Sequence, residues 1–244
     1  MEPQVLYEDE FLLAIDKPSG MVVNRGFGAG ETLQDWVDSN FDFPLAHDGE
    51  LRNGIVHRLD KETSGVILVA KTSEALEELQ RQFKEREVEK VYLGLVHGKF
   101  EPGEGVIEAP IGRLSQNRKR FGVVEKGRGA TTEYRVLSVY RSAFIEEDRS
   151  KRRTTNDELF SLLEFYPKTG RTHQIRVHAK HMGHPIVADP IYAGRKTNRR
   201  DRKWCPRLFL HAAKLKFMHP VSRGRVVVEA ELPEDLGAVL KSLK

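Results

Sequence analysis

The apolar run Val66 to Ala70 constrains this chain more than any other stretch. It is short, rich in branched side chains, and follows the dense polar segment His57 to Gly65. A run of that kind reads as a buried strand over Gly65 to Lys71. It is far too short to cross a bilayer, and the other apolar runs are no longer. The chain must therefore fold from short strands and amphipathic helices. With 244 residues and 39% hydrophobic content it can bury a sizeable core in one or two domains.

The pattern on either side fills in the elements. Val5 to Ile15 is expected as a strand, turning at Lys17-Pro18-Ser19-Gly20 into a second short strand, Met21 to Asn24. Thr32 reads as the N-cap of a helix carrying Leu33, Trp36 and Val37, and residues 41–54 read as loop. Thr72 or Ser73 caps a stronger helix, with Leu76, Leu79 and Phe83 on one face. Strands are expected over Val91 to Val96, Thr131 to Tyr140 and Leu159 to Tyr166, with a polar hairpin tip or mobile loop at 146–158. Thr172 to His181 reads as a helix capped by Thr172. Leu208 to Phe217 and Arg225 to Leu232 read as a final strand pair around His219-Pro220. Strands and helices interleave without a regular βαβ repeat, which points to α+β with a mixed, largely antiparallel sheet. One domain over 1–244, in two halves around a cleft, is the simplest organisation.

Composition excludes whole classes of protein. Cys205 is the lone cysteine, so an internal disulfide and a cysteine metal cluster are excluded, and a reducing, cytoplasmic compartment fits. From the start Met1-Glu2-Pro3 no secretory signal is expected, and no membrane association is expected.

Charge is informative as a pattern. Residues 1–50 hold eleven acids against Lys17 and Arg25, a balance of −9, so a total of +4 leaves the rest at +13. The excess concentrates in Arg113, Arg118, Lys119, Arg120, Lys126, Arg128 and in Arg195, Lys196, Arg199, Arg200, Arg202, Lys203. Such clusters either neutralise nucleic-acid phosphates or are merely solvated loops.

Two motif-like features carry little chemistry. Gly26-Phe27-Gly28-Ala29-Gly30 lacks the Gly-Lys-Ser/Thr of a phosphate loop and reads as a flexible loop. His178, His181 and His184 are spaced by three, yet no acid or cysteine joins them, so no metal site is expected.

Two segments carry more. In His57-Arg58-Leu59-Asp60-Lys61-Glu62-Thr63-Ser64-Gly65 the Asp60 carboxylate lies between two cations, which favours its ionised form. Such a carboxylate serves as nucleophile or general base, or simply caps a turn. In Thr169 to His178, Gly170 marks a turn, and Arg171 and Arg176 fall near the start of the expected helix. Helix N-terminal amides with arginines suit phosphate or carboxylate, and a capped helix with solvated arginines is the plainer alternative.

In this order, the segments resemble the RluA family of pseudouridine synthases, from about Glu8 onward. Ala14 to Val23 is similar to the family's first motif, and His57 to Gly65 to the motif holding its catalytic aspartate, which falls on Asp60. Lys90-Val91-Tyr92 with Leu95-Val96-His97-Gly98 resembles the segment bearing the active-site tyrosine, here Tyr92. Gly170 to His178 is similar to the motif whose arginine pairs with the aspartate, here Arg176. Gly183-His184-Pro185-Ile186, Leu210-His211-Ala212 and His219-Pro220 resemble the closing signatures. Glu62 stands where aspartate is common, Ala188 where glycine is common, and Asn24-Arg25 where His-Pro is frequent.

The resemblance implies isomerisation of uridine in structured RNA, a ribosomal (large-subunit) or transfer RNA stem-loop, with no cofactor and no metal. Asp60 would attack C1′ or remove a sugar proton, Arg176 would orient it, and Tyr92 would stack on the base and help remove the C5 proton. Arg58, Arg171 and His173 would contact the substrate, with Arg58 filling the space of the extruded nucleotide. The family's N-terminal S4 RNA-binding domain is expected to be absent, no DNA partner is expected, and a monomer is the default. The alternatives are an inactive RNA-binding module of the same fold, and a hydrolase using Asp60 with a second acid.

Overall fold

The computed structural model describes residues 2–26, 30–115, 117–141 and 159–243. The chain divides into two compact units, Met1–Lys90 with Ala212–Glu231, and Val91–His211 with Leu232–Lys244. Each has its own apolar core, and each combines helices with antiparallel strands, as the sequence predicts.

The first unit opens with β1 (Gln4–Glu8) and β2 (Leu12–Lys17), paired antiparallel. A single strand over Val5 to Ile15 is therefore not formed. Asp9 breaks it, because its Oδ1 accepts from the backbone N–H groups of Phe11 and Leu12 at 2.8 and 2.9 Å and closes a tight turn. Met21 to Asn24 is not a strand either. Gly20 turns at φ +90°, and only an isolated bridge joins Val22 to Thr32.

Thr32 caps α1 (Leu33–Asn40) through a reciprocal box with Asp35, and a single 3-10 turn follows at Arg52–Gly54. β3 (Ser64–Ala70) is buried at every residue and pairs antiparallel with β2. α2 (Ser73–Glu85), capped by Thr72, lays Ala75, Leu76 and Leu79 against Leu68 and Ala70. Near the end of the chain, β10 (Leu210–Met218) lies beside β3, and β11 (Arg225–Glu229) pairs with it antiparallel.

The boundary between the units falls at Lys90 within β4 (Glu89–His97) and at His211 within β10. In the second unit β4, β9 (Leu159–Pro167), β8 (Thr131–Arg141) and β5 (Glu104–Glu108) lie side by side, antiparallel throughout. The alternation expected along Thr131 to Tyr140 is interrupted by a register shift between Val136 and Ser138. β6 (Ile111–Leu114) and β7 (Asn117–Val123) form a separate hairpin.

α3 (Gln174–His181) begins two residues later than expected, and Thr172 is not its cap. His173 occupies the cap position in the left-handed region at φ +56° without a side-chain cap, and the Gln174 side chain instead braces the preceding turn by accepting from Arg171 N–H at 3.0 Å. The second basic cluster forms α4 (Arg195–Asp201) rather than a loop, and α5 (Glu234–Ser242) closes the core with Leu236 and Val239. The polar stretch 146–158 lies outside the described residues, as do residues 27–29 of the Gly26 to Gly30 loop and the side chains of Arg118 and Lys119.

Candidate active site

Asp60 sits in a loop whose backbone is held from two sides. On its N-terminal side, Ile55 bridges Val69 and Val56 N–H donates to Leu68 O at 3.0 Å, so residues 55–57 run along β3. His57 extends this with its side chain: Nε2 accepts from Leu68 N–H at 3.1 Å while the ring stacks on Phe83 at 4.5 Å. An imidazole that accepts a backbone N–H is neutral. Desolvation pushes it down to about 3, and the Lys90 ammonium acts in the same direction. Leu59 is buried, and Thr63 N–H returns to Asp60 O at 3.1 Å to close the turn.

On the other side the Lys17–Gly20 turn acts as a clamp. Lys17 is 0% exposed, and its Nζ donates to three carbonyls: Pro18 at 2.7 Å, Met21 at 3.0 Å and Lys61 at 3.3 Å. Gly20 N–H also donates to Lys61 O, and Ser19 Oγ donates to Glu62 O at 2.7 Å. A buried ammonium is tolerated because carbonyl dipoles replace its water. With its flanks fixed, Asp60 remains half-buried and Arg58 beside it is exposed. Gly65, at φ +115°, lets β3 approach Ala212, whose carbonyl oxygen would lie 2.2 Å from any Cβ there.

In the second unit Arg176 projects from α3 and is 2% exposed. Its Nε and Nη2 donate to the Asp189 carboxylate at 2.8 and 2.9 Å. Asp189, 0% exposed, also accepts the backbone N–H groups of Ile191 and Tyr192 at 2.8 and 3.0 Å. The ring of Tyr192 lies under the guanidinium, 5.2 Å from its centre, and its hydroxyl meets His173 Nδ1 at 2.8 Å. His173 and Arg176 therefore converge on Tyr192. Arg171 Nε donates to Gly129 O at 3.1 Å. Tyr92 is half-buried on β4, opposite Phe165 of β9 and packed on the core.

Asp189 and Tyr192, which hold Arg176 and His173, were not singled out by sequence reading. Their signal was the contiguous Ala188-Asp189-Pro190-Ile191-Tyr192 directly after a recognised motif. Ala188 adopts φ +56°, which accounts for the glycine common at that position. His178 is buried, with Nδ1 at 3.0 Å from Thr132 Oγ1 and Nε2 at 3.1 Å from Ala109 O. Burial lowers its proton affinity, and its ring is spent on structure. No cluster of three metal-binding side chains occurs among the described residues.

A model of the RNA pseudouridylate synthase family matches residues 11–181. The chain belongs to the RluA family of RNA pseudouridine synthases. Among its relatives, a ribosomal large subunit pseudouridine synthase D from Nitrosomonas europaea is 39% identical over 99% of this chain and 65% of its own length. A protein of the same name from Pseudomonas aeruginosa is 38% identical over 100% of this chain and 72% of its own length. The chain thus spans about two thirds of the curated relatives it matches. A solved structure of human RNA pseudouridylate synthase domain containing 1 is 28% identical, with a TM-score of 0.74 over 98% of this chain and 87% of that one. The pseudouridine synthase motifs read in the sequence fall on the Asp60 loop in one unit and on Tyr92, α3 and Arg176 in the other.

Proposed function

We propose that this protein isomerises uridine to pseudouridine in RNA, that Asp60 is its catalytic carboxylate, and that its substrate is large-subunit ribosomal RNA. The observation that carries the reading is the construction around Asp60: a partly exposed carboxylate on a loop immobilised by a buried lysine and a neutral histidine. Fixing a charged group before substrate arrives lowers the cost of reaching the transition state. The names of the relatives supply the substrate class.

In the proposed reaction the N1–C1′ bond breaks, the uracil turns, and C5 bonds to C1′. The C5 proton is lost and a proton is taken up at N1, so substrate and product are isomers and no redox step is involved. Asp60 either attacks C1′ or removes a sugar proton, and both routes require the ionised form. Arg176, preset by Asp189, orients that carboxylate. Tyr92 stacks on the base, and Arg58 occupies the space it leaves, since base chemistry in structured RNA needs extrusion. Arg171 and His173 contact the flanking RNA. No helix among the described residues is long and apolar enough to cross a membrane. A cytoplasmic monomer completes the proposal.

The test is tritium release from RNA labelled at uridine C5, run separately on large-subunit ribosomal and transfer RNA transcripts. Release from ribosomal RNA alone is expected. Release from transfer RNA alone would move the substrate. Free uracil would indicate a hydrolase, and tight binding without release would indicate an inactive binding module.

A further inference from the structure

Several surface cations of this protein are matched by acids. Arg81 pairs with Glu78 and Glu87, Arg135 with Glu164, Arg225 with Glu89, Lys168 with Glu133 and Lys214 with Glu229. The segment from Arg195 to Lys203 is built differently. Arg195, Lys196, Arg199, Arg200, Arg202 and Lys203 are all exposed, and none has a carboxylate within ion-pairing distance among the described residues. The segment's lone acid, Asp201, is turned inward and buried. Its Oδ2 meets His97 Nε2 at 2.9 Å and accepts Ala188 N–H at 2.9 Å.

This arrangement has two consequences. Six uncompensated charges on so short a segment repel one another, and a polyanion relieves that repulsion by displacing its own counterions. The helix is also not a loose appendage. Asp201 fastens it to the peptide of Ala188, the residue before the Asp189 that holds Arg176. A phosphate chain lying on this helix would be registered against the Arg176 site.

We infer that Arg195–Lys203 is a docking surface for the phosphate backbone of the RNA substrate, anchored through Asp201 to the segment that positions Arg176. The inference rests on the RNA-modifying reading above. The recognition is of backbone charge and shape rather than base identity, as suits structured RNA.

The experiment compares wild type with Arg199→Gln/Arg200→Gln/Arg202→Gln. A control, Arg81→Gln/Arg223→Gln/Arg225→Gln, removes the same charge from ion-paired positions. Binding to a large-subunit ribosomal RNA transcript is measured across salt, and C5 tritium release is followed at saturating RNA. Raising salt from about 50 to about 200 mM should weaken wild type by roughly twenty- to fortyfold more than the helix variant, because three phosphate contacts are lost. The control should keep the wild-type slope, and the helix variant should keep its rate at saturating RNA. An unchanged slope in the helix variant would overturn the inference. So would equal losses in variant and control, or loss of binding to anionic lipid vesicles with RNA affinity intact. Wild type that binds this RNA without releasing tritium would count against the isomerase reading, while the slopes would still decide the role of the helix.

Discussion

Arg176 and Asp189 form a two-pronged ion pair with both partners buried, bonded at 2.8 and 2.9 Å. Such a pair is costly to desolvate and costly to break, because each charge is stranded without the other. Four donors satisfy the Asp189 carboxylate, two of them backbone N–H groups from the segment it begins. Arg176 is thereby fixed before RNA arrives.

Replacing Asp189 with asparagine should remove the charge while keeping the shape. Urea denaturation should show a loss of about 3 kcal/mol or more. In the fraction that stays folded, single-turnover tritium release should slow at least tenfold while RNA affinity changes little. Unaltered turnover in a folded Asp189→Asn variant would remove Asp189 as the positioning partner of Arg176.

Lys17 tests whether the Asp60 loop needs its clamp. Lys17→Met keeps most of the buried stem and removes the ammonium that donates to three carbonyls, leaving Lys61 O with Gly20 N–H. A stability loss of about 2 to 4 kcal/mol is expected. The rate at saturating RNA should fall while RNA affinity stays near wild type. A Lys17→Met protein with full rate would show that the loop holds itself.

Gly65→Ala is expected to be among the most damaging small substitutions. Its Cβ would meet the Ala212 carbonyl oxygen at 2.2 Å and its carbon at 2.7 Å, backbone atoms that cannot rotate aside, at φ +115°. The cost should exceed about 3 kcal/mol, combining strain with steric overlap. A thermal midpoint close to wild type would contradict the close approach of β3 and β10.

Acid should weaken the first unit through His57. Its folded proton affinity, down to about 3, lies below the ordinary value of 6.5, so the unfolded chain binds the proton more readily. The stability contributed by neutral His57 is complete above pH 6.5 and drains away as pH falls toward 3. Denaturation between pH 6.5 and about pH 5, before most carboxylates titrate, should show a decline that His57→Gln flattens. Parallel profiles for the two proteins would rule this out.

Much of the architecture was legible because its signals are local. Thr32 and Thr72 cap helices as their side chains require, and the branched run behind Ser64 can only be a buried strand. What escaped depends on contacts distant in sequence. Asp9 splits the first strand by folding its carboxylate back onto Phe11 and Leu12. α4 looked like loop because its long charged side chains carry no apolar stripe, and what holds it is Asp201 reaching back to Ala188 and His97. Motif order is what puts Asp60, Tyr92 and Arg176 forward as the proposed site residues. Asp189 and Lys17 emerge as supports only from the geometry, since burial of a charge leaves no mark on composition.

Asp60→Asn is the most direct test, because it changes one oxygen to nitrogen on a loop fixed by other residues. Purified wild type and variant would be given the same C5-tritiated large-subunit ribosomal RNA, with binding and single-turnover release measured together. Release should drop by more than about 10³-fold while RNA affinity stays within a few fold of wild type. Release by Asp60→Asn at a rate near wild type would contradict the role assigned to Asp60 and move the chemistry to another residue.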